Sequence, residues 1–328
     1  VHLAKAREVF PALWEILEPI LSTSPNHRAV VSVHGGSGVG KSEIGSLLAY
    51  GLNARGVGAY VLSGDNYPRR IPSMNDAERL RTFRAAGMRA LADARLYDAD
   101  VRVALADLQA ADVDADPAGV AEHPWLATYL RAGRAALAEY LGTPAESDFD
   151  EINGILAAFH DGAERLMLKR MGRAVGEVWY DDVDFRDTQV IVLEWTHGNN
   201  DHLVGVDVPI LLNSTPEETL AHRRSRARDG GVDSPFTTLV LEVEQERLRS
   251  QAHRARIIVS KSGEIQDYAT YLSVMGADVP DGGPMINVYP DSMGGTLDDI
   301  VQVLRRDELR GAFSSAYLLP SVFNTDLD

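Results

Sequence analysis

The sequence predicts an α/β fold built on a parallel sheet, and three features carry that prediction. A β-rich apolar run at 29–34 leads into a glycine loop at 35–40, and the loop opens a helical pattern over 41–55. A second short strand, 58–62, follows at once. Two further buried-strand runs return at 189–194 and 206–212. Strand, glycine loop, helix and strand in this order begin a parallel sheet whose helices cover both faces, a three-layer core.

The remaining elements can be taken in chain order. Residues 3–21 form an amphipathic pattern, with Leu3, Val9, Leu13, Ile16, Leu17 and Ile20 near helical spacing, and the Ser-Thr-Ser-Pro-Asn run at 22–26 ends it. From Asp76 to about Gly142 the chain is rich in Ala, Arg and Leu, with no convincing strand. Two or three helices, roughly over 76–111 and 123–141, with a loop at 112–119, make this stretch a helical insertion. Another helix is expected over 148–162, capped by Asp148 or Asp150. Short strands at 165–168 and 174–180 flank Gly172 as a hairpin. A helix over 215–228 has Ser214 or Thr215 to cap it and Pro216 in its first turn. A helix at 238–253 and a last strand at 256–260 complete the core. The tail, 276–328, is rich in Gly, Pro and Asp, with one helix near 297–306. The expected organisation is therefore 1–75 as first half-core, 76–147 as insertion, 148–275 as second half-core and 276–328 as C-terminal extension. No internal repeat is evident.

Composition narrows the function. The chain has 328 residues, 45% hydrophobic and 24% charged, ordinary proportions for a globular protein. No apolar run approaches the ~20 residues of a membrane helix. No basic segment followed by an apolar one opens the chain, so a leader is not expected and the cytoplasm is the expected location. With no cysteine, thiolate metal sites and cysteine nucleophiles are excluded. A net charge of -16 argues against a partner recognised through a nucleic-acid backbone.

Gly35-Gly36-Ser37-Gly38-Val39-Gly40-Lys41-Ser42 fits G-x-x-x-x-G-K-[ST], the P-loop. Its glycines let successive backbone N–H groups face one anion, and the helix that follows adds its dipole. Lys41 would reach the β- and γ-phosphates, and Ser42 would offer a hydroxyl to Mg²⁺, so ATP and Mg²⁺ are the expected cofactors. Gly36, Ser37, Gly38, Val39 and Gly40 supply the rest of the cradle. Asp65 follows the second strand, at the strand end that faces a ligand in a parallel sheet. A carboxylate there can take a proton from an attacking hydroxyl or hold Mg²⁺ through water. Glu194 ends the strand at 190–194 and is a second carboxylate for the Mg²⁺ side. The run 195–200 that follows, with His197, could grip a polar substrate. Arg224 and Arg228 share one face of the 215–228 helix and could close over the phosphates. Lys169, Arg170 and Arg173 are a second basic cluster, suited to an anionic group on a substrate.

The order of these motifs resembles the uridine kinase, phosphoribulokinase and bacterial pantothenate kinase group of P-loop kinases. Ser63-Gly64-Asp65-Asn66-Tyr67 resembles S-x-D-x-[FY], and 64–69 resembles G-D-x-F-H-R, with Pro68 in place of His. Phe149-Asp150 with the helix to Gly162, then 178–181, resembles an FD–helix–PxYD region. The strand 190–194 resembles one ending in E-G, with Trp195 in place of Gly. The run 224–229 resembles the R-x-x-x-R-D lid, although Gly230-Gly231-Val232 stand where a second basic pair would be. The resemblance covers about 30–75 and 148–265. It implies ATP-dependent phosphoryl transfer to a hydroxyl of a small molecule, a nucleoside, sugar, sugar phosphate or similar polar metabolite, with Asp65 as general base. Acceptor contacts are then expected from Asp65, Tyr67, Arg69, Arg70, Lys169, Arg170, Tyr180 and His197, and metal contacts from Ser42, Asp65 and Glu194. A homodimer is compatible with this reading. The rival is a regulatory ATPase or nucleotide switch that uses the insertion as a partner-binding arm.

Overall fold

A computed structural model describes residues 2–214 and 234–275 and two short strands in the tail. The chain divides into two units, Val1–Thr270 and Tyr271–Asp328. In the second unit the described strands are β9 (Ile286–Asn287) and β10 (Ala316–Tyr317), which pair in parallel. The helices expected at 215–228 and 297–306 lie outside the described residues.

The first unit is built on a six-stranded sheet. Its strands are β1 (Ala29–Gly35), β2 (Ala59–Ser63), β5 (Val190–Glu194), β6 (Val208–Leu212), β7 (Ile257–Val259) and β8 (Ile265–Gln266). They lie in the order β2-β5-β1-β6-β7-β8. The first five are mutually parallel, and β8 is antiparallel to β7. β8 was not expected: two residues are too short to leave a periodic signal. β1, β5 and β6 are buried along their whole length, as continuous apolar runs in a parallel sheet must be.

Helices cover both faces. On one, α1 (His2–Thr23) sets Ala6, Val9, Leu13, Leu17 and Leu21 in a stripe against Ile44, Leu48 and Leu52 of α2 (Lys41–Ala54) and against Val31 and Val33. On the other, α6 (Phe149–His160) packs Phe149, Ile152, Leu156 and Phe159 against Val30, Ile191 and Leu193. The Asp148 carboxylate accepts from the Glu151 amide and caps α6.

The insertion holds α3 (Pro72–Asp93), α4 (Ala99–Ala110) and α5 (Leu126–Tyr140). Of the two or three helices expected in this stretch, the structure has three, with the 76–111 region divided between α3 and α4. Arg95 turns left-handed after α3, with φ 57°, and Asp98 starts α4 by capping the Val101 amide at 2.9 Å. Phe83, Leu91, Leu105, Leu126 and Tyr129 form the insertion's own core. Both feet of the insertion meet at the main sheet's edge. Pro68 and Ser147 form an antiparallel bridge, the Arg69 amide donates to the Glu146 carbonyl at 2.8 Å, and the Asp148 amide donates to the Tyr67 carbonyl at 2.8 Å. A hairpin of β3 (Arg165–Met171) and β4 (Val178–Asp184) stands apart as a two-stranded sheet. Its second strand starts later than the sequence suggests, because 172–177 form the turn, closed by the Gly172 amide on the Glu177 carbonyl at 2.7 Å. α7 (Pro235–Gln251), capped by Ser234, lies against α5, and α8 (Tyr268–Met275) spans the boundary between the two units.

Candidate active site

The candidate site lies at the carboxyl ends of the parallel strands, the side on which open α/β sheets bind their ligands. The chain leaves β1 through Gly35 and turns through Gly38 (φ 81°) and Gly40 (φ 93°). Gly40 is also the residue before the first turn of α2. These positive φ values favour glycine at both places. Lys41 is half-buried, and its ammonium donates to the Gly36 carbonyl at 3.0 Å. Burial lowers its pKa from the usual lysine value, against the opposing pull of Asp65, Glu244, Glu194 and Glu43. Four carboxylates thus act on the loop lysine through their charge.

Parallel register sets the carboxylates. Ser63 and Glu194 are paired at the ends of β2 and β5. The buried Glu194 carboxylate accepts from Ser63 Oγ at 2.6 Å through one oxygen and from Ser42 Oγ at 2.9 Å through the other. The expected pair, Ser42 and Glu194, is therefore in direct contact, with Ser63 as a partner that the motif pattern did not single out. Among the described residues no group of three His, Cys, Asp or Glu side chains could hold a metal. One hydroxyl and one carboxylate suit Mg²⁺, which keeps several waters and takes phosphate oxygens as ligands. Asp65 is exposed in the short 3-10 turn after β2, with its charge felt at Lys41.

Trp195 follows Glu194 and is buried. A Cβ on Gly64 would lie 2.1 Å from its ring, so the indole occupies the space a side chain at position 64 would need. The ring stacks at a tilt on Phe149, with centroids 5.1 Å apart, and meets His197 edge-on at 5.3 Å.

His197 is buried beneath the insertion, with Nε2 3.9 Å from Glu146. Burial lowers its pKa to about 4, with Glu146 opposing. Glu146, almost fully buried, accepts from Arg79 at 2.6 Å, Asn75 at 3.0 Å and the Gly142 amide at 2.5 Å. Burial alone would raise its pKa; Arg79, His197 and the Gly142 amide overcome that and hold it below the usual carboxylate value. Arg79 also faces Glu244 of α7 at 3.9 Å. Sequence reasoning gave no role to Glu146, Arg79 or Asn75, because lone polar residues in a charged helical stretch carry no motif. His34, at the end of β1, is buried as well, and burial, with Lys41 and Arg254 adding, lowers its pKa to about 3.

The other expected contacts take the following places. Tyr67 is fully buried in the core under α6, and burial raises its phenol pKa. Arg69 donates to the Pro144 carbonyl at 2.6 Å and to Asp148 at 3.1 Å. Arg70 donates to Tyr140 Oη at 3.1 Å and lies 3.8 Å from Glu78. Lys169 is 3.7 Å from Glu151, whose carboxylate also accepts from the Tyr180 hydroxyl at 2.9 Å. Arg170 donates to Asp181 at 2.8 Å and to the Tyr60 hydroxyl at 2.8 Å. Arg224 and Arg228 lie outside the described residues.

No family model matches the chain. It is 36% identical over 255 residues, 78% of its length, to the bifunctional alpha-galactosidase/sucrose kinase AgaSK of Mediterraneibacter gnavus, and spans about a fifth (22%) of that longer protein. Over 44 residues, 13% of the chain and 8% of the relative, it is 52% identical to a sucrose 6(F)-phosphate phosphorylase of Ilumatobacter coccineus. The solved phosphoribulokinase of Rhodobacter spheroides is similar over 71% of this chain and 70% of its own, with 14% identity and a TM-score of 0.44. On its loop motif and its sheet, this chain is a P-loop α/β protein.

Proposed function

We propose that the chain is an ATP-dependent kinase that transfers the γ-phosphoryl group to a hydroxyl of a small neutral sugar, with a sucrose-like disaccharide as the first candidate. The observation that carries this reading is the Glu194 carboxylate bound by both Ser42 and Ser63, beside a Lys41 whose charge feels Asp65. Bound ATP-Mg²⁺ would supply the phosphoryl group; Gly36–Lys41 would cradle its phosphates, and Ser42 with Glu194 would hold the metal. Asp65 would take the acceptor hydroxyl's proton as that oxygen bonds the γ-phosphorus and the bond to the ADP oxygen breaks. Asp65 itself is exposed and so reachable from solvent, as an acceptor requires.

Neutral acceptors are favoured over phosphorylated ones by the pairing of the basic groups. Arg69, Arg70, Lys169 and Arg170 each face a carboxylate of this chain. A second anion would have to break those pairs. The names of the two relatives, a sucrose kinase and a sucrose 6(F)-phosphate phosphorylase, support a sugar of that class. No helix among the described residues is long and apolar enough to cross a membrane. A small-molecule acceptor, no nucleic acid and a cytoplasmic supply of ATP complete the proposal, with a homodimer compatible. The test is ADP release with ATP-Mg²⁺ against sucrose, fructose, glucose, uridine and sugar phosphates. Turnover that needs a neutral sugar supports the reading. ADP release that ignores every small molecule and rises with a protein partner would move it to the regulatory ATPase.

A further inference from the structure

The start of α1 reaches the phosphate loop. A Cβ built on Gly40 would lie 2.6 Å from His2 Cε1, 2.7 Å from His2 Nδ1 and 3.7 Å from Glu43 Oε2. The His2 imidazole therefore rests on the last glycine of the loop. Its Nδ1 is buried and has no hydrogen-bond partner among the described residues. A buried polar atom without a partner costs free energy and points to a group that completes it. One turn further along α1, the Lys5 backbone closes on Gly263, in the turn between β7 and β8, where a Cβ would lie 3.3 Å from Lys5 Cα. The first turns of α1 thus bridge the P-loop and the end of β7.

Sheet order says which end of a nucleotide would meet that bridge. Asp65 and Glu194 stand at the ends of β2 and β5, on one side of β1. The γ-phosphate belongs beside them. The remainder of the nucleotide then extends to the other side of β1, toward β6 and β7, where α1 makes its bridge. We propose that His2 is a nucleotide-binding residue: its ring nitrogen hydrogen-bonds the α-phosphate or ribose of a bound nucleoside di- or triphosphate. The inference rests on the nucleotide-binding part of the kinase reading and adds a residue outside the P-loop motif. In this arrangement α1 is part of the nucleotide site as well as a cover for the sheet.

The test is calorimetric titration of MgADP and of magnesium pyrophosphate into wild type, His2→Ala and His2→Gln, with melting curves alongside. Pyrophosphate fills the loop and has neither ribose nor α-phosphate ester. A hydrogen bond to a charged or ribose oxygen predicts about tenfold weaker MgADP binding for His2→Ala. His2→Gln keeps a donor and should recover part of that loss. Pyrophosphate binding should be unchanged in both. If His2→Ala fails to fold, the ratio of ADP to pyrophosphate affinity in His2→Gln carries the comparison, with a lowered ratio expected. Unchanged MgADP affinity in both variants would overturn the assignment, and so would an equal loss for both ligands, which would mean that His2 only shapes the loop. Wild type that binds neither ligand would instead remove the nucleotide-binding reading itself.

Discussion

Ser42 and Ser63 hold the Glu194 carboxylate from two sides, at 2.9 and 2.6 Å. This fixes its direction before any metal arrives. Glu194→Gln keeps the shape but removes the charge and puts a donor where one hydroxyl now donates. We expect turnover to fall at least ~100-fold, with a raised Mg²⁺ requirement, read as initial rate against Mg²⁺ concentration. Asp65 tests the chemistry differently. Asp65→Asn should lower kcat with the true acceptor by ~10²–10⁴-fold while the Kd for MgADP changes little, since the loop amides and Lys41 make that contact. An unchanged kcat would reduce Asp65 to a turn residue, a role Asn fills equally well. Ser42, Asp65 and Glu194 were legible because each stands at a motif position or at a strand's carboxyl end. Ser63 as a carboxylate partner was not, since its role depends on the register between β2 and β5, which local sequence does not encode. Glu146 was hidden for a stronger reason: it lies in a turn after α5, its partners Asn75 and Arg79 lie on α3, and His197 lies on the loop after β5.

At the scale of elements, the insertion is tied to the core through that buried group. Removing one member of a buried pair leaves the other charge desolvated. Glu146→Ala should therefore destabilise the fold by roughly 3–5 kcal/mol, measured by urea unfolding. The helices themselves are readable from apolar spacing and caps, as in α1 and α6. The position of the break between α3 and α4 was not legible because Arg95 supplies the left-handed turn that glycine more commonly marks. If the insertion covers the acceptor, amides over 76–141 should exchange more slowly with acceptor plus a nonhydrolysable ATP analogue than with the analogue alone. Exchange that ignores the acceptor would make the insertion a surface for another partner.

For the molecule as a whole, two buried histidines link stability to pH. His34 and His197 are held to about 3 and about 4, below the usual 6.5, by burial. The unfolded chain takes up these protons near pH 6.5 while the native state stays neutral, so stability is full above that pH. It falls as pH drops from 6.5 toward 4, by up to about 1.4 kcal/mol per pH unit for each histidine. Melting temperature should decline over that window, and His197→Asn should flatten the decline even if it lowers the starting value. Between β2 and β5 the chain makes a long excursion whose two feet touch, at Pro68 and Ser147. A stretch of chain that leaves and returns at neighbouring points is topologically a detachable cassette. Recombination could exchange it for another of different shape without re-threading a single strand, so acceptor choice could diversify while the phosphate-handling frame stayed as it is.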